Sequence, residues 1–534
     1  MARLKCTYSV AFCLSILIYS CNAYKALVVT QMPSRSHSIL NSAIVKQLLK
    51  DGNEVTYIRS IEYKNAPSTL RQIDVSSNEE ALPPDCINIK AIMNNLVEAN
   101  DHEYVKHMMI NVGIKTVENE DVQKLLSDPN EHFDVVIVEF MDNDVLASLA
   151  AVFNCPLIWM SPIEINSDIV SRIDAVPNPA LVADCLSTDI GPFSFLQRIK
   201  LLWYRMKIQL LDYWYFDDLQ NNAYKKYIVP HIVKRGRQPP LFEDIRYNAS
   251  LVLGYSHVSM GEAHSLPQNY KPVGGYHIDD DIQALPEDLQ KIMDSAKNGV
   301  IYFSMGSNLK SSEFPEDIKQ NLLKMLGELK QTVFWKFEEK IPTNYKNVYV
   351  SNWFPQMSIL AHPNCAILIT HGGLLSTAEA LYAGVPYIGI PGFGDQHVNT
   401  KRAVSKGFGL KVDMTVNIVE DLKVAIEEMM SNSSYREKAK ELSFIYHDRP
   451  VKPAEELSHW VRHVVQTGGA QHLRSPALKL SVFELLYIDL IAVLLIITIV
   501  LIQLFKYICT KFGAKNEISQ SRNGKANQKK KKKN

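Results

Sequence analysis

The chain has little cysteine for its length and no pattern of metal ligands. Three of its eight cysteines fall within residues 1–23, and Cys509 lies in the basic C-terminal region. The remaining four are widely spaced: Cys86, Cys155, Cys185 and Cys365. Four scattered cysteines allow one bridge but no disulfide scaffold. Histidines and carboxylates do not cluster at the spacing of metal ligands either, so we expect no metal cofactor.

An excess of one charge sign is also missing. Lysine and arginine together number 57, and aspartate and glutamate together also number 57. Residues 24–487 contain no stretch in which basic residues alternate with aromatic ones, as a nucleic-acid-binding surface would require. The sequence therefore predicts that nucleic acid is not a partner.

The two ends of the chain predict a membrane topology. Residues 1–23 begin with basic residues, continue with an apolar run and end at a small-x-small sequence, which is typical of a secretory signal peptide. Residues 488–508 are long and apolar enough for one transmembrane helix. Residues 509–534 are strongly basic, and this places them in the cytosol by the positive-inside rule. The prediction is a single-pass type I protein with residues 24–487 in the lumen.

Short sequences agree with this topology and indicate a compartment. The terminal Lys531-Lys532-Lys533-Asn534 resembles the dilysine signal that returns membrane proteins to the endoplasmic reticulum. Asn248 and Asn432 each begin an Asn-x-Ser triplet, a glycan acceptor sequence that is used only on the lumenal side. We therefore expect a glycoprotein of the endoplasmic reticulum membrane.

The lumenal part reads as two α/β domains. Short apolar runs alternate with helical patterns in both halves, which favours doubly wound, Rossmann-like parallel sheets. We predict a first domain at 24–272, a linker at 273–285 and a second domain at 286–445. The predicted helices within 446–487 pack back and lead to the membrane. Two facing sheets imply a ligand cleft between their carboxyl ends.

The strand and helix predictions come from the length and apolar content of each run. A helix is predicted at Ile39–Leu49, and residues 193–219 form an aromatic, helix-forming stretch. We expect that stretch to belong to the core, with a membrane-facing or substrate-lining position as the alternative. The predicted strands are Tyr24–Thr30, Val55–Ile58, Phe133–Val138, Pro156–Met160, Val300–Ser304, Val333–Phe337, Val348–Val350, Ala366–Thr370 and Tyr387–Ile390.

A His-Gly-Gly sequence in the second half has the form of an anion site. His371, Gly372 and Gly373 follow a predicted strand and precede a helical run that ends before Gly384. A turn without side chains leads there into a helix N-terminus, where free N–H groups and the helix dipole favour a phosphate. Glu379 lies about one and a half turns into that helix and is suited to accept hydrogen bonds from hydroxyls.

The order of the motifs resembles one known family. Trp353-Phe354-Pro355-Gln356, then His371-Gly372-Gly373, then Glu379, then the run from Pro391 to Gln396 resemble the nucleotide-sugar signature of the UDP-glycosyltransferases. Further matches are GVIYFSMGS (299–307), HDRP (447–450) and GGAQHLR (468–474). With its predicted signal peptide, terminal helix and basic tail, the chain resembles the membrane-bound animal UDP-glucosyl/glucuronosyltransferases of invertebrate type. The resemblance implies the GT-B fold, with the acceptor in the first domain and the UDP-sugar in the second.

The resemblance implies a role for each matching residue of the second domain. Trp353 would stack on uracil, Gln356 would hold the base or ribose, and Glu379 would accept from the ribose hydroxyls. Ser307, His371 and Gly373 would contact the diphosphate, and Asp395 and Gln396 the sugar. These side chains fit the groups assigned to them. The chain departs from many relatives at Leu375-Ser376, where they have Asn-Gly.

In the first domain, the resemblance points to a histidine base. His37 lies between the first predicted strand and the first predicted helix, where the family has its catalytic histidine. It would take the proton of an acceptor hydroxyl during attack on the anomeric carbon, and this displacement would turn an α-linked donor into a β-glycoside. A carboxylate would orient the ring. Glu139 is the aligned residue, with Asp142 and Asp144 as alternatives.

The expected function is transfer of a hexose from UDP-sugar to a small lipophilic acceptor such as a phenol, plant toxin, steroid or pigment, as in detoxification. Glucose is the expected sugar because invertebrate relatives commonly use it, and glucuronate and galactose are the alternatives. The sequence does not determine whether the sugar is joined to oxygen, nitrogen, sulfur or carbon of the acceptor. One alternative is an endogenous lipid or sterol glycosyltransferase. Another is a non-catalytic ligand-binding relative, prompted by Glu139 and Leu375. The resemblance also allows homo- or hetero-oligomers.

Overall fold

The computed structural model describes residues 23–83, 88–94, 101–175, 177–184, 186–279, 281–339, 341 and 344–531. Almost all of the predicted signal peptide, Cys86, Cys185 and the last three residues of the dilysine sequence lie outside this described part. The chain divides into a large unit, Met1–Ser475, and a small one, Pro476–Asn534. Cys155, Cys365 and Cys509 are free thiols.

The large unit contains a first parallel sheet of seven strands. In chain order the strands are β1 (Lys25–Val29), β2 (Glu54–Arg59), β3 (Leu70–Asp74), β4 (Val135–Glu139), β5 (Leu157–Ser161), β6 (Ala249–Gly254) and β7 (Tyr270–Pro272). Their spatial order is β3-β2-β1-β4-β5-β6-β7. Strands β2 and β3 are added on one side of β1, and strands β4 to β7 are added on its other side. The switch point of the sheet therefore lies between β1 and β4.

A second parallel sheet of six strands belongs to the same unit. Its strands are β8 (Val300–Ser304), β9 (Thr332–Lys336), β10 (Val348–Ser351), β11 (Cys365–Thr370), β12 (Tyr387–Gly389) and β13 (Gly409–Lys411). The spatial order is β10-β9-β8-β11-β12-β13, which puts the switch point between β8 and β11. Both sheets match the doubly wound arrangement that the sequence predicted.

Helices alternate with the strands of the large unit, and the last two helices belong to the small unit. They are α1 (Arg35–Lys50), α2 (Ile89–Met93), α3 (His102–Glu118), α4 (Glu120–Ser127), α5 (Ser148–Phe153), α6 (Ser167–Val170), α7 (Phe195–Leu211), α8 (Asp217–Tyr227), α9 (Val229–Lys234), α10 (Phe242–Arg246), α11 (Glu287–Ser295), α12 (Glu316–Gly327), α13 (Gln356–Leu360), α14 (Leu374–Ala383), α15 (Gln396–Lys406), α16 (Ile418–Ser431), α17 (Ser434–His447), α18 (Pro453–Gln466), α19 (Val482–Leu485) and α20 (Ile488–Lys531). Short 3-10 turns lie at Ser76–Ala81, Val145–Ala147, Ser311–Glu313, Gln471–Leu473 and Pro476–Lys479, and one π turn at Asp212–Phe216.

The central strands are apolar on both faces because helices cover both faces. Every residue of β4 and of β8 is buried, as expected for the interior of a parallel sheet. One apolar cluster contains residues of both sheets, including Val28 and Val300. Helix α18 packs back against α1 of the first sheet, where Ser458 donates a hydrogen bond to Asp51.

The first helix starts four residues earlier than predicted. Ser34 has extended backbone angles and is the N-cap, so α1 begins at Arg35 instead of Ile39. The pattern of apolar residues begins only at Ile39 because the first turn, Arg35 to Ser38, carries polar side chains. His37 therefore lies on the first turn of a helix, which fixes its backbone more firmly than a loop would.

Most of the aromatic stretch 193–219 lies outside the core, contrary to the expectation, although Phe193, Ile208 and Phe216 are buried. Within the 17 residues of α7 only Ile208 is buried, and Trp203 is 68% exposed. The residues that follow in the π turn include Trp214, which is 74% exposed. Helical periodicity shows that a helix has an apolar face, but it does not show whether that face meets protein.

The small unit contains α20, whose segment Ile488–Phe512 is long and apolar enough to cross a membrane by length and composition. The side chains of Leu490 to Ile502 are exposed within the described structure. An apolar helix without protein around it is consistent with membrane association.

A buried ion network fixes the loop after β4. Asp144 pairs with the guanidinium of Arg172 at 2.6 Å and with that of Arg246 at 2.9 Å. Burial alone would raise the pKa of Asp144, but the charges of the two arginines hold it below its usual range. The stabilisation is therefore complete above the ordinary aspartate pKa and is lost as the pH falls through the lowered value.

We expect Asp144→Asn to lower the free energy of unfolding by about 3–5 kcal/mol, because it leaves the buried guanidinium of Arg172 without its carboxylate and removes one of the two carboxylates that pair with Arg246. The measurement is the urea midpoint of the purified full-length chain at neutral pH. Asp279→Asn is the matched control, since the Lys46–Asp279 pair is exposed and such pairs contribute little. Equal midpoints for the two variants would contradict the proposed importance of this network.

Candidate active site

A single cleft contains all the residues predicted to bind the donor, and His37 with them. The space opens at the carboxyl ends of both sheets. Residues 35–37 line it from the first sheet. From the second sheet, its lining includes Ser307, Trp353, Gln356, His371, Gly373, Glu379, Asp395 and Gln396. These eight residues are spread over about ninety positions of sequence, and the strand order of the second sheet brings them together.

On the first-sheet side of the cleft, His37 pairs with a buried carboxylate. Its Nδ1 lies 2.6 Å from Oε1 of Glu139, whose side chain is fully buried. Glu139 is the last residue of β4, and His37 lies on the helix that follows β1. Burial alone would lower the pKa of His37, but the charge and hydrogen bond of Glu139, followed by the charge of Asp395, raise it above the usual value.

The two alternative carboxylates have other partners. Asp144 belongs to the buried arginine network described above. Asp142 lies 3.8 Å from Lys106, and burial, only partly opposed by Lys106, raises its pKa to about 7. Of the three candidates, the structure therefore places Glu139 on the His37 ring.

The His-Gly-Gly turn is built around the imidazole of His371. The turn follows β11, and Gly373 is the N-cap of α14. A side chain at Gly306 or Gly373 would collide with the His371 ring. Gly372 has a φ of +79°, and a Cβ at this position would meet the Thr400 hydroxyl. Glycine is therefore required by the packing as well as by the backbone conformation.

The environment of His371 makes it a neutral hydrogen-bonding group. Burial, followed by the charge of Lys336, lowers the pKa of His371 to about 4. Lys336 lies at the end of β9, lines the cleft and donates to the carbonyl of Gly306 at 2.8 Å. Lys336 also pairs with Glu338 at 2.8 Å, and the sequence analysis selected neither residue.

Trp353 and Arg35 face each other across the cleft. The guanidinium carbon of Arg35 lies 5.5 Å from the centre of the Trp353 ring, within the range of a cation–π interaction. Trp353 belongs to the second half of the chain and is 52% exposed. A second contact between the halves joins the Ser34 hydroxyl to Asn308 at 3.1 Å. The cleft is thus closed at this end by residues from both sheets.

Glu379 is the centre of a polar group on α14. The amide of Gln356 donates to Glu379 and also, at 3.1 Å, to the hydroxyl of Ser376. His277 approaches from within the predicted linker, with Nε2 at 3.5 Å from Glu379 and Nδ1 at 2.9 Å from the Tyr255 hydroxyl. Ser376, one of the residues at which the chain departs from its relatives, therefore helps to hold Gln356.

Asp395 and Gln396 stand at the start of α15 and are both tied to the backbone around them. Asn399 donates at 2.8 Å to Asp395 and at 3.2 Å to the carbonyl of Gly372. The side-chain oxygen of Gln396 accepts from the backbone N–H of Gly392 at 2.9 Å. Burial raises the pKa of Asp395 above the usual value, with Asn399 and the charge of His37 opposing it.

The lining of the cleft also includes polar residues that the sequence analysis did not select, among them Arg35, His277, Asn308 and Lys336. The first two lie outside the signature, and no local pattern distinguishes them from surface residues. Asn308 directly follows the GVIYFSMGS motif, so its position was a usable signal. Both glycan acceptor candidates, Asn248 and Asn432, are exposed. Across the described ranges, no group of three or more metal-ligating side chains occurs.

Comparisons with known proteins agree with this geometry. The family model described as UDP-glucoronosyl and UDP-glucosyl transferase matches residues 25–522. UDP-glucosyltransferase 2 of Dactylopius coccus is 28% identical, with 93% of this chain and 94% of that protein covered. UDP-glucuronosyltransferase 2A3 of Homo sapiens is 26% identical, with 95% and 96% covered.

Solved structures resemble the chain in fold. The glycotransferase of kitacinnamycin has a TM-score of 0.56 at 16% identity, covering 82% of this chain and 99% of its own. A UDP-glucosyltransferase from Polygonum tinctorium has a TM-score of 0.53 at 16% identity, covering 83% and 99%. The match over almost the whole chain, the two parallel sheets and the cleft between them show that this protein belongs to the UDP-glucuronosyl/UDP-glucosyl transferase family and is a UDP-glycosyltransferase with the GT-B fold.

Proposed function

We propose that the protein transfers glucose from UDP-glucose to a hydroxyl group of a small lipophilic acceptor and forms a β-glucoside. The observation that carries this proposal is the contact between His37 and Glu139 at the rim of the cleft. A histidine held by a buried carboxylate is the arrangement that a general base requires. A non-catalytic relative would have no need of a buried charge on this ring.

His37 acts as the base in this proposal. With Nδ1–H donating to Glu139, Nε2 is the nitrogen that accepts the proton of the acceptor hydroxyl. The hydroxyl oxygen attacks the anomeric carbon from the side opposite the phosphate, the new C–O bond forms, and the bond to the diphosphate oxygen breaks. The carbon is inverted, UDP leaves with the electron pair, and the imidazolium is stabilised by the Glu139 carboxylate.

The donor lies against the second sheet. Trp353 offers an aromatic face to uracil, and Gln356 with Glu379 holds the ribose hydroxyls. The diphosphate is held by Ser307, by the neutral His371 and by the N–H groups at the start of α14. Asp395 and Gln396 bind the sugar hydroxyls.

The leaving diphosphate carries negative charge that the site must balance. Lys336 and Arg35 line this part of the cleft, and the N-terminus of α14 adds the positive end of a helix dipole. Preorganised donors of this kind stabilise charge as it develops in the transition state. The proposed mechanism therefore needs no metal ion and no further cofactor.

The acceptor is proposed to bind on the first-sheet side, next to His37. Apolar residues Ile39, Leu40 and Ile163 line the cleft there, which suits a lipophilic aglycone. Phenols and similar toxins are the proposed substrates, so the protein would act in detoxification. A sterol or sphingolipid acceptor is the alternative that the same wall allows.

The first test combines donor choice with loss of the base. Microsomes that contain the full-length chain are given UDP-glucose, UDP-glucuronate or UDP-galactose, together with phenols, anthraquinones, a sterol and a ceramide. Conjugates are identified by mass. We expect glucosides of the phenols, with a loss of about 10²–10⁴-fold in kcat/KM for His37→Ala, as for removal of a general base.

Measurements of UDP binding by two variants distinguish loss of the base from loss of donor binding. His37→Ala should still bind UDP, because the donor residues lie on the second sheet, whereas Glu379→Ala should bind it more weakly. Full turnover by His37→Ala would refute the proposed base. Conjugates formed only from the sterol or ceramide, or only with UDP-glucuronate or UDP-galactose, would refute the proposed acceptor or sugar.

The pH dependence tests the partner of His37. The base must be neutral, and its pKa is raised, so kcat/KM should rise with pH through a value above 6.5. Glu139→Gln removes the carboxylate charge that raises the pKa of His37. The increase of kcat/KM with pH should therefore move to lower pH, and the maximum rate should fall. Asp142→Asn is the control, and a shift of the profile in this variant instead would point to Asp142.

We propose that the large unit is lumenal and that the chain is anchored in the endoplasmic reticulum membrane. The predicted signal peptide, the apolar helix and the basic tail motivate this topology. Glycosidase treatment of the expressed chain should lower its apparent mass, and Asn248→Gln with Asn432→Gln should abolish this shift. An unmodified wild-type chain would contradict the lumenal orientation.

A further inference from the structure

The imidazole of His277 has a buried nitrogen that the proposed reaction does not use. His277 lies in the predicted linker and lines the cleft, and its side chain is 3% exposed. Its Nδ1 lies 2.9 Å from the Tyr255 hydroxyl. Its Nε2 is buried and has no hydrogen-bond partner among the described residues. A buried nitrogen without a partner is costly, so the surroundings of Nε2 indicate its role.

The carboxylate of Glu379 faces this nitrogen. Oε1 of Glu379 lies 3.5 Å from Nε2, which is longer than an ordinary N–H···O hydrogen bond. The other oxygen, Oε2, accepts a hydrogen bond from the amide of Gln356. A shift of about half an ångström would bring Oε1 within hydrogen-bond distance of His277. The two side chains would then hold one oxygen of the carboxylate each.

Tyr255 favours the tautomer of His277 that this contact requires. A carboxylate only accepts hydrogen bonds, so Nε2 must carry a proton, and in the neutral ring Nδ1 is then an acceptor. The Tyr255 hydroxyl donates to Nδ1 in this arrangement. Burial raises the pKa of Tyr255 well above its ordinary value, so the hydroxyl keeps its proton and remains a donor.

The backbone just before His277 is attached to both halves of the chain. The N–H of Val273 donates to the carbonyl of Gly254, the last residue of β6, at 2.9 Å. Arg449, beyond the end of α17, donates to the carbonyl of Gly274 at 2.8 Å. The position of His277 is therefore fixed by contacts outside the cleft.

We propose that His277 is a positioning residue for Glu379 and that the chain Tyr255–His277–Glu379 aims this carboxylate at the ribose hydroxyls of the donor. Each carboxylate oxygen can accept two hydrogen bonds, so one position on each oxygen stays free for the ribose. The inference rests on the proposed ribose contact of Glu379. Tyr255 is fully buried and contacts the ring at Nδ1, so the first half of the chain influences donor recognition without touching the donor.

The test compares the binding of UDP with that of 2′-deoxy-UDP, which lacks one ribose hydroxyl. Both are titrated by calorimetry into the purified full-length chain. UDP should bind the native chain about tenfold more tightly, as expected for one hydrogen bond to a charged group. His277→Ala should bring this ratio close to that of Glu379→Ala. The Kd of 2′-deoxy-UDP should change little in His277→Ala, which also shows that the variant is folded.

Conservative variants test the individual hydrogen bonds. His277→Gln places an amide N–H near the position of Nε2 and should restore most of the ratio. Tyr255→Phe removes only the hydroxyl at Nδ1 and should lower the ratio.

Tyr276→Phe is the matched control for Tyr255→Phe. The two rings are buried neighbours with centres 5.6 Å apart, and the Tyr276 hydroxyl has no hydrogen-bond partner in the described part of the chain. Tyr276→Phe should therefore leave the ratio unchanged. Equal losses in the two variants would contradict the role of the Tyr255 hydroxyl.

A double-mutant cycle separates positioning from direct contact with the donor. If His277 acts through Glu379, the variant with both His277→Ala and Glu379→Ala should bind UDP no more weakly than Glu379→Ala alone. Additive losses would overturn the proposal and place His277 on the donor itself.

Two further results would overturn the proposal, and they differ in what they say about the proposed function. If Glu379→Ala lowers the ratio and His277→Ala does not, the ribose contact of Glu379 stands and the positioning role of His277 is refuted. If Glu379→Ala leaves the ratio unchanged, the ribose contact itself is refuted, and the inference with it.

Discussion

The candidate site depends on parallel pairing at the one place in each sheet where the strand order changes direction. In the first sheet Val29 of β1 pairs with Val138 of β4, so the chain leaves both strands at the same edge. Glu139 ends one of these strands and His37 lies on the helix that follows the other. The second sheet repeats the arrangement, because β8 leads to Ser307 and the neighbouring β11 leads to His371. Two switch points that face one cleft bring a base and an anion site together.

Burial and charge give the two histidines of the cleft opposite properties. His37 has a carboxylate partner, and its pKa is raised. His371 has a lysine nearby and no carboxylate among the causes of its shift, and its pKa falls to about 4. The same side chain is thus prepared in one position to take up a proton and in the other to remain neutral while it donates a hydrogen bond. Separation of pKa values by environment is how one site assigns different tasks to like residues.

Contacts between the two halves of the chain complete the cleft, and some of the residues that form them lie outside the signature motifs. Arg35 over Trp353, Ser34 with Asn308 and His277 with Glu379 each join residues far apart in sequence. Such contacts couple the position of the histidine base to the donor side. Helix α7 turns most of its apolar side chains outward, and Ile208 is its one buried residue.

The sequence by itself predicted nine of the thirteen strands that the structure describes, the turn at His371 and the family, since these depend on local apolar runs, on glycine geometry and on an ordered set of motifs. It did not predict β3, β6, β7 and β13. The resemblance favoured Glu139 as the carboxylate partner of His37 but left Asp142 and Asp144 open, because the three side chains are chemically alike. The tertiary structure separates them: Glu139 contacts His37, whereas the two aspartates of the following loop pair with other basic residues. It also decided the partners of Arg35 and His277, which no local pattern marks. Finally, periodicity predicted an apolar face on α7, but only packing showed that this face points away from the core, because amphipathicity is the same whether protein or lipid covers it.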